Sequence, residues 1–185
     1  MKQEIDIQDL LVWAYKDQGV DEFPDQISGP KVSLMSWNVH VDGSDTPDEP
    51  AADAFIVHSE VKRMSKMMQG LIIGCAKNAE PPPYFSGAKV VLLPMLSVKG
   101  KPVQVYDDNR HPVLCKLICA VELADKTIMM GYNQKVIDAA RTLYVAWHDA
   151  LSSMVSSLNI KLEGYQVTKP KIEPYPWSLS KAASH

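Results

Sequence analysis

Between Asn133 and Leu162 apolar residues recur every seventh position in two interleaved registers. One holds Ile137, Tyr144, Leu151 and Leu158, and the other Ala140, Trp147 and Met154. Steps that alternate between four and three residues trace one face of a helix. No Pro or Gly interrupts the stretch before Gly164. Asn133 suits the N-cap, and Gly164 with Pro170 beyond it suits the stop. About 29 helical residues would rise about 43 Å, the diameter of a small domain. Such a stripe is either the core on which other segments pack or a coiled-coil-like seam for a second chain, a homodimer through the 137–158 helix. The small number of heptads and the mixture of Ala, Tyr and Trp favour the core.

Weaker patterns flank it. Asp6 can cap a helix from Ile7 to about Gln18, with Ile7, Leu10, Leu11 and Ala14 inward and Gly19 at the left-handed position after its end. Trp13 and Tyr15 fall off that stripe. Residues 20–50 read as an extended acidic connection with one apolar patch, Val32–Val41, anchored by Trp37. Ser44 to Glu49 has the cap, proline and acids of a helix start. A second helix is predicted from Pro47 to about Lys66, with Ala51, Ala54, Phe55, His58, Val61 and Met64 or Met68 inward. It can continue to Lys77, where Gly70 and Gly74 suit a close helix crossing. Pro81-Pro82-Pro83 ends that region. Lys89–Val98 and Lys101–Tyr106 flank Lys99-Gly100 and predict a hairpin. Pro94 and Pro102 confine its strands to edges or bulges. The period-two set from Val113 to Leu123 leans to a strand, and after Gly164 the repeated prolines predict an extended tail.

The expected fold is therefore mainly α with a small β-hairpin (α+β), its long C-terminal helix as the packing centre, an extended acidic loop and a Pro-rich tail. One domain is expected over residues 1–165, with a hairpin inserted at about 89–106 and a basic, aromatic tail over 166–185.

Composition narrows the class. Of 185 residues 46% are apolar, enough for a core. There is no long apolar run for a membrane span and no apolar stretch after Lys2, Gln3, Glu4 and Asp6, so a cytoplasmic chain is expected. Three cysteines do not make a disulfide framework. Residues 1–60 hold 3 Lys and 13 Asp+Glu (−10), and residues 61–185 hold 16 Lys+Arg and 9 Asp+Glu (+7), which together give the net −3. A split of that size points to self-complementary packing or to a basic face with an acidic counterweight.

Several segments stand in a familiar order: Leu10–Gln18, Lys99-Gly100-Lys101-Pro102, Tyr106–Arg110, Tyr144–Leu151 and Pro176-Trp177. Together they resemble a family of small proteins encoded in phages and prophages of proteobacteria, over most of the chain apart from Val20–Pro50. The resemblance implies a phage-type origin and the host cytoplasm. It brings no activity and no catalytic residues.

Three kinds of site are open from the residues. His111, Cys115 and Cys119 are spaced by four, with Cys75 upstream, and could supply a structural zinc. Paired C-x-x-C units are absent, and cysteines in an apolar run are more often core. Asp107 and Asp108 could hold Mg²⁺ for a metal-dependent enzyme of nucleic-acid metabolism, with Glu122 as a third acid, although Asp-Asp-Asn is more commonly a turn. Lys62, Arg63, Lys66, Arg110, Lys169 and Lys171, with Tyr175 and Trp177, would bind nucleic acid if they converged on one face; Lys99 and Lys101 could join them. His148 and Asp149, adjacent on a helix, point apart and form no dyad. With no nucleotide loop or catalytic signature, the expected function is a non-enzymatic accessory protein without a cofactor, acting by binding nucleic acid or a host protein.

Overall fold

The protein is described by a computed structural model over residues 2–23 and 50–179. The patch expected at Val32–Val41 and the helix start expected at Ser44–Glu49 lie outside the described residues. In chain order the elements are β1 (Gln3–Asp6), α1 (Ile7–Val12), a π-helical turn (Trp13–Asp17), a 3-10 turn (Val20–Glu22), α2 (Ala52–Lys62) and α3 (Lys66–Asn78). Then come β2 (Lys89–Pro94), β3 (Gln104–Tyr106), β4 (Pro112–Cys115), β5 (Leu117–Glu122), β6 (Ile128–Met130), α4 (Gln134–Lys161), β7 (Tyr165–Thr168) and α5 (Pro176–Leu179). Helix and strand are thus mixed, with one long helix and small sheets.

The chain divides into two compact units. The first takes the chain up to Glu80 and again Leu151–Pro170. The second takes Pro81–Ala150 and the chain from Lys171 on. The long helix α4 forms without a break and gives its first half to the second unit and its last turns to the first. Asn133 caps it, its side chain accepting from Lys135 N at 3.0 Å. Ile137, Tyr144, Trp147, Leu151 and Leu158 are each at most 2% exposed within the single chain. The stripe is therefore core.

In the first unit Asp6 caps α1 by accepting from Gln8 N at 2.7 Å. Ile7, Leu10, Leu11 and Ala14 are buried, as the pattern predicts. Tyr15, which falls off that stripe, is buried as well, and the π turn explains it. Gln18 N donates to Trp13 O at 2.9 Å, the i→i+5 spacing that inserts an extra residue and rotates Tyr15 inward. Its hydroxyl meets His58 Nδ1 at 3.1 Å. Burial, then the charge of Asp21, push the Tyr15 phenol well above its ordinary pKa, so it stays protonated. Gly19 takes the left-handed conformation that ends the element (φ +58°).

The single helix expected beyond Pro47 is two helices. After Lys62 the chain turns, and Ser65 restarts it by accepting from Met68 N at 3.3 Å. Gln69 donates to the carbonyls of Lys62 and Met64, both at 2.8 Å, and so satisfies acceptors that the break exposes. Gly70 and Gly74 face open space, so the predicted close crossing is absent there.

The end of α4 is held from three sides. Lys2 Nζ donates to Leu162 O at 2.7 Å, a cation at a helix C-terminus. Asp53 accepts from Glu163 N at 3.2 Å and Gly164 N at 2.9 Å. Beyond it, β7 pairs in parallel with β1, Gln3 opposite Tyr165 through Asp6 opposite Thr168. The side-chain amide of Asn159 donates to Val167 O at 2.8 Å and accepts from Val167 N at 2.6 Å, standing in for a further strand. The first residues of the expected tail are thus a strand. Asp53→Ala removes the acceptor of two amides and is expected to lower stability by about 1 kcal/mol, read from the urea midpoint.

In the second unit the first half of α4 meets an aromatic cluster. Tyr144 packs edge-on against Tyr84 at 5.0 Å and Trp177 at 5.8 Å, and its hydroxyl donates to Glu173 O at 3.1 Å. Arg141 donates to the carbonyls of Tyr84 and Phe85 and lies 5.3 Å over the Trp177 ring.

The strands pair differently from the predicted hairpin. The turn is where Lys99-Gly100 predicts it, with Gly100 at φ +72° and Ser97 N bonded to Lys101 O at 2.8 Å. Only an isolated bridge, Leu96 to Pro102, continues it. β2 instead pairs with β5 and β5 with β6, giving the order β2-β5-β6, and β3 pairs with β4. Three bonds join these pieces at one junction: Met95 N to Lys116 O, Val103 N to Met95 O and Lys116 N to Val103 O. From it the 95–103 and 103–116 hairpins diverge. β2 is an edge strand ending on Pro94, as a strand without that ladder donor must be.

Candidate functional site

The sequence candidates are divided between the two units. Lys62, Arg63, Lys66 and Lys169 belong to the first unit, and Arg110, Lys171, Tyr175 and Trp177 to the second. Arg63 is engaged with Glu60 at 3.1 Å. Trp177 makes tilted or edge contacts with Tyr84, Tyr144 and Tyr175, and Arg141 lies over its ring.

The Asp107–Arg110 segment is the tip of the β3–β4 hairpin. Asp107 Oδ1 accepts from Asn109 N at 2.9 Å and His111 N at 2.8 Å, the geometry of a carboxylate that shapes its own turn. Arg110 sits at φ +63° and bonds back to Asp107 O at 3.0 Å. Glu122 is held instead by Lys126 at 3.0 Å.

Cys75 lies on α3 in the first unit, while His111, Cys115 and Cys119 lie on the strand segment of the second. Among the described residues no group of three or more His, Cys, Asp or Glu could hold a metal ion. Cys115 and Cys119 are exposed, not core as their apolar run suggests. Burial pushes the Cys75 thiol up. A thiol-reactive chromophore is therefore expected to label Cys115 and Cys119 quickly and Cys75 slowly. Three equally fast thiols would contradict this burial.

Two of the concavities among the described residues include sequence candidates. One, of about 470 Å³ in the first unit, is lined by Val20, Phe23, Phe55, His58, Ser59 and Lys62. The other, of about 550 Å³ in the second, lies between one face of α4 (Asp138, Thr142, Asp149) and Tyr175 with Trp177. Neither combines a nucleophile with a base and an orienting partner.

The strand segment itself is the unusual feature. Of the sixteen exposed large apolar residues described, thirteen lie between Val90 and Tyr132. In β2–β5, register puts Val90, Leu92, Leu117 and Cys119 on one face, and Val91, Leu93, Ile118 and Ala120 on the other. Both faces are thus apolar. Val121, on the first face, is 1% exposed, whereas Leu92 and Leu117 on the same face are 62% and 53% exposed. The β3–β4 pair Val105 and Leu114 is bare as well, at 47% and 68%. At roughly 80 Å² each, these thirteen residues together show on the order of 1,000 Å² of apolar surface, spread over the sheet and both hairpins. The signal was present in the sequence as apolar runs that do not alternate with polar residues, the pattern of a strand covered on both faces.

No family model, no curated protein and no solved structure matches this chain. Its functional reading therefore rests on the surface just described. Among the described residues no helix is long and apolar enough to cross a membrane.

Proposed function

We propose that the protein is a non-enzymatic accessory protein that acts by binding another protein, and that the strand segment 89–130 is its binding arm. The bare apolar residues of this segment, Leu92 and Leu117 on one face of β2–β5 and Val105 with Leu114 on β3–β4, carry this reading. Water-exposed apolar surface is stabilised by being covered. Asp107 shaping its own turn speaks for a binding arm over the metal-dependent nuclease reading. A protein partner is favoured over nucleic acid because the surface is apolar where phosphate contact needs a dense array of cations. A phage-type origin and a cytoplasmic setting fit this role and belong to the same proposal.

The test is photo-crosslinking in the producing cell, with the crosslinking amino acid at Leu114 and, as a control, at Ile160 on the last turns of α4, which is 84% exposed. A protein adduct from Leu114 and none from Ile160 is the expected result. No adduct at Leu114, or one to nucleic acid, overturns the reading.

A further inference from the structure

We infer that the cavity of the first unit is a binding site for an apolar monocarboxylate. Lys62 and the His58 imidazole hold the carboxylate, and the chain or ring lies against Phe23 and Phe55. The site is separate from the strand segment 89–130 and does not depend on what that segment binds.

Helix α2 gives the cavity two different ends. Phe55, His58, Ser59 and Lys62 all line it. They stand at positions i, i+3, i+4 and i+7, which share one side of a helix. Along that side the residues are apolar first and polar last. At the apolar end Phe23 meets Phe55 edge-on at 6.4 Å, and Val20 completes the wall. At the other end stand His58 and Lys62, four residues apart and so neighbours on the helix surface. From Phe55 to Lys62 the helix rises about 10 Å, roughly the length of an extended eight-carbon chain. The cavity holds about 470 Å³, within the roughly 300–1,000 Å³ of small-molecule sites.

The polar end is of one sign. No carboxylate is among the described residues that line the cavity. The acids on the neighbouring elements are engaged elsewhere. Asp21 and Glu22 meet Lys77 at 2.9 and 3.5 Å, Asp53 takes the amides of Glu163 and Gly164, and Glu60 is held by Lys161 and Arg63. The carbonyls of Glu60, Val61 and Lys62, at the end of α2, would repel an anion if bare. Arg63 N, Met64 N and Gln69 Nε2 donate to them instead. His58 adds a directed donor. It is 7% exposed, and its Nδ1 meets the Tyr15 hydroxyl at 3.1 Å. Tyr15 keeps its proton, and a buried hydroxyl donates where an acceptor is in reach. Nδ1 therefore accepts, which places the proton of the neutral ring on Nε2. The ring edge away from Tyr15 is thus a donor. A cation and a donor at one end of an apolar cavity fit a single carboxylate on an apolar body.

The test is a titration of the isotope-labelled full chain with phenylpentanoate, followed through amide shifts, with phenylpentanol as the uncharged control. The acid is expected to bind at about 0.1–1 mM, the range open to a ligand of this size, and to move the amides of Val20, Phe23, Phe55 and Ser59 most. The alcohol is expected to bind about tenfold more weakly. Ser59→Trp, at an exposed position, fills the cavity and is expected to weaken both compounds by about tenfold or more. Lys62→Met, also at an exposed position, is expected to remove most of the preference for acid over alcohol and to leave the affinity for the alcohol as it was. A loss of stability would not separate the two compounds in that way. Lys135→Met, on α4 in the second unit, is expected to bind like wild type.

A wild type that binds the acid no better than the alcohol overturns the inference. So do shifts that map to residues 89–130 in place of the cavity, a Ser59→Trp protein that binds like wild type, or a Lys62→Met protein that keeps the full preference. The crosslink from Leu114 does not depend on any of these outcomes, so the two readings fail separately.

Discussion

Replacing Tyr144 by alanine is expected to cost about 3–5 kcal/mol and to unfold the second unit at a markedly lower urea concentration. Tyr144 is 1% exposed. Its ring stands edge-on or tilted to Tyr84, Trp147 and Trp177 at 5.0 to 5.8 Å, so its loss leaves a cavity lined by three aromatics. Such lining collapses poorly, because flat rings held by their own neighbours cannot move into the void. The hydroxyl matters less. Tyr144→Phe loses the donor to Glu173 O and is expected to cost about 1 kcal/mol. Burial, with the charges near Tyr84 and Glu173, pushes the Tyr144 phenol up, so the cost is flat through neutral pH. Tryptophan fluorescence reads the outcome through Trp147 and Trp177. A Tyr144→Ala protein with wild-type stability would mean that these rings do not form a common core.

The second large effect is at Glu60. This carboxylate is 7% exposed and ties α2 to the last turns of α4 through Lys161 Nζ and Ser157 Oγ (2.9 Å), with Arg63 at 3.1 Å on its own helix. Burial pushes its pKa up. The hydrogen bonds from Lys161 and Ser157, with the charges of Lys161 and Arg63, outweigh that and hold it below the ordinary value. Glu60→Gln is expected to cost about 2 kcal/mol. A fully buried pair costs about 3–5 kcal/mol to break, but Lys161 keeps a third of its surface in water and recovers part of its hydration. Because the folded state holds the carboxyl low, the unfolded chain takes up the proton first as pH falls. The contribution is therefore whole above the ordinary glutamate pKa of about 4.3 and is lost as pH drops through the folded value. Urea midpoints for wild type and Glu60→Gln should differ near neutrality and converge in acid. A gap that stays constant with pH would place the effect in packing.

How far the sequence reached depended on how local each feature is. The helix stripe from Ile137 to Leu158, the Asp6 cap with Gly19 at the end of its element, and the turn at Lys99-Gly100 were legible, because each depends on residues a few positions apart. The candidate site was legible only as unassigned apolar runs. Periodicity says that Val90–Leu93 and Leu117–Val121 are apolar on both sides but not that they pair with each other, nor that their outer ends stay uncovered. Pairing β2 with β5 closes the loop that holds both hairpins, a choice among topologies that no short window encodes. The pairing of β7 was hidden for the same reason: it is a strand only because β1, near the start of the sequence, lies beside it.

By itself the sequence determined which segments could be helices, where the chain had to turn, and that a long amphipathic stripe needed cover. Only the tertiary structure decided that α4 is shared between two units, that Cys115 and Cys119 face water, and that Glu60 is buried against Lys161. Helical pattern and turn chemistry are written in neighbouring residues, whereas strand partners and burial depend on which distant surfaces meet, and many pairings satisfy the same local preferences.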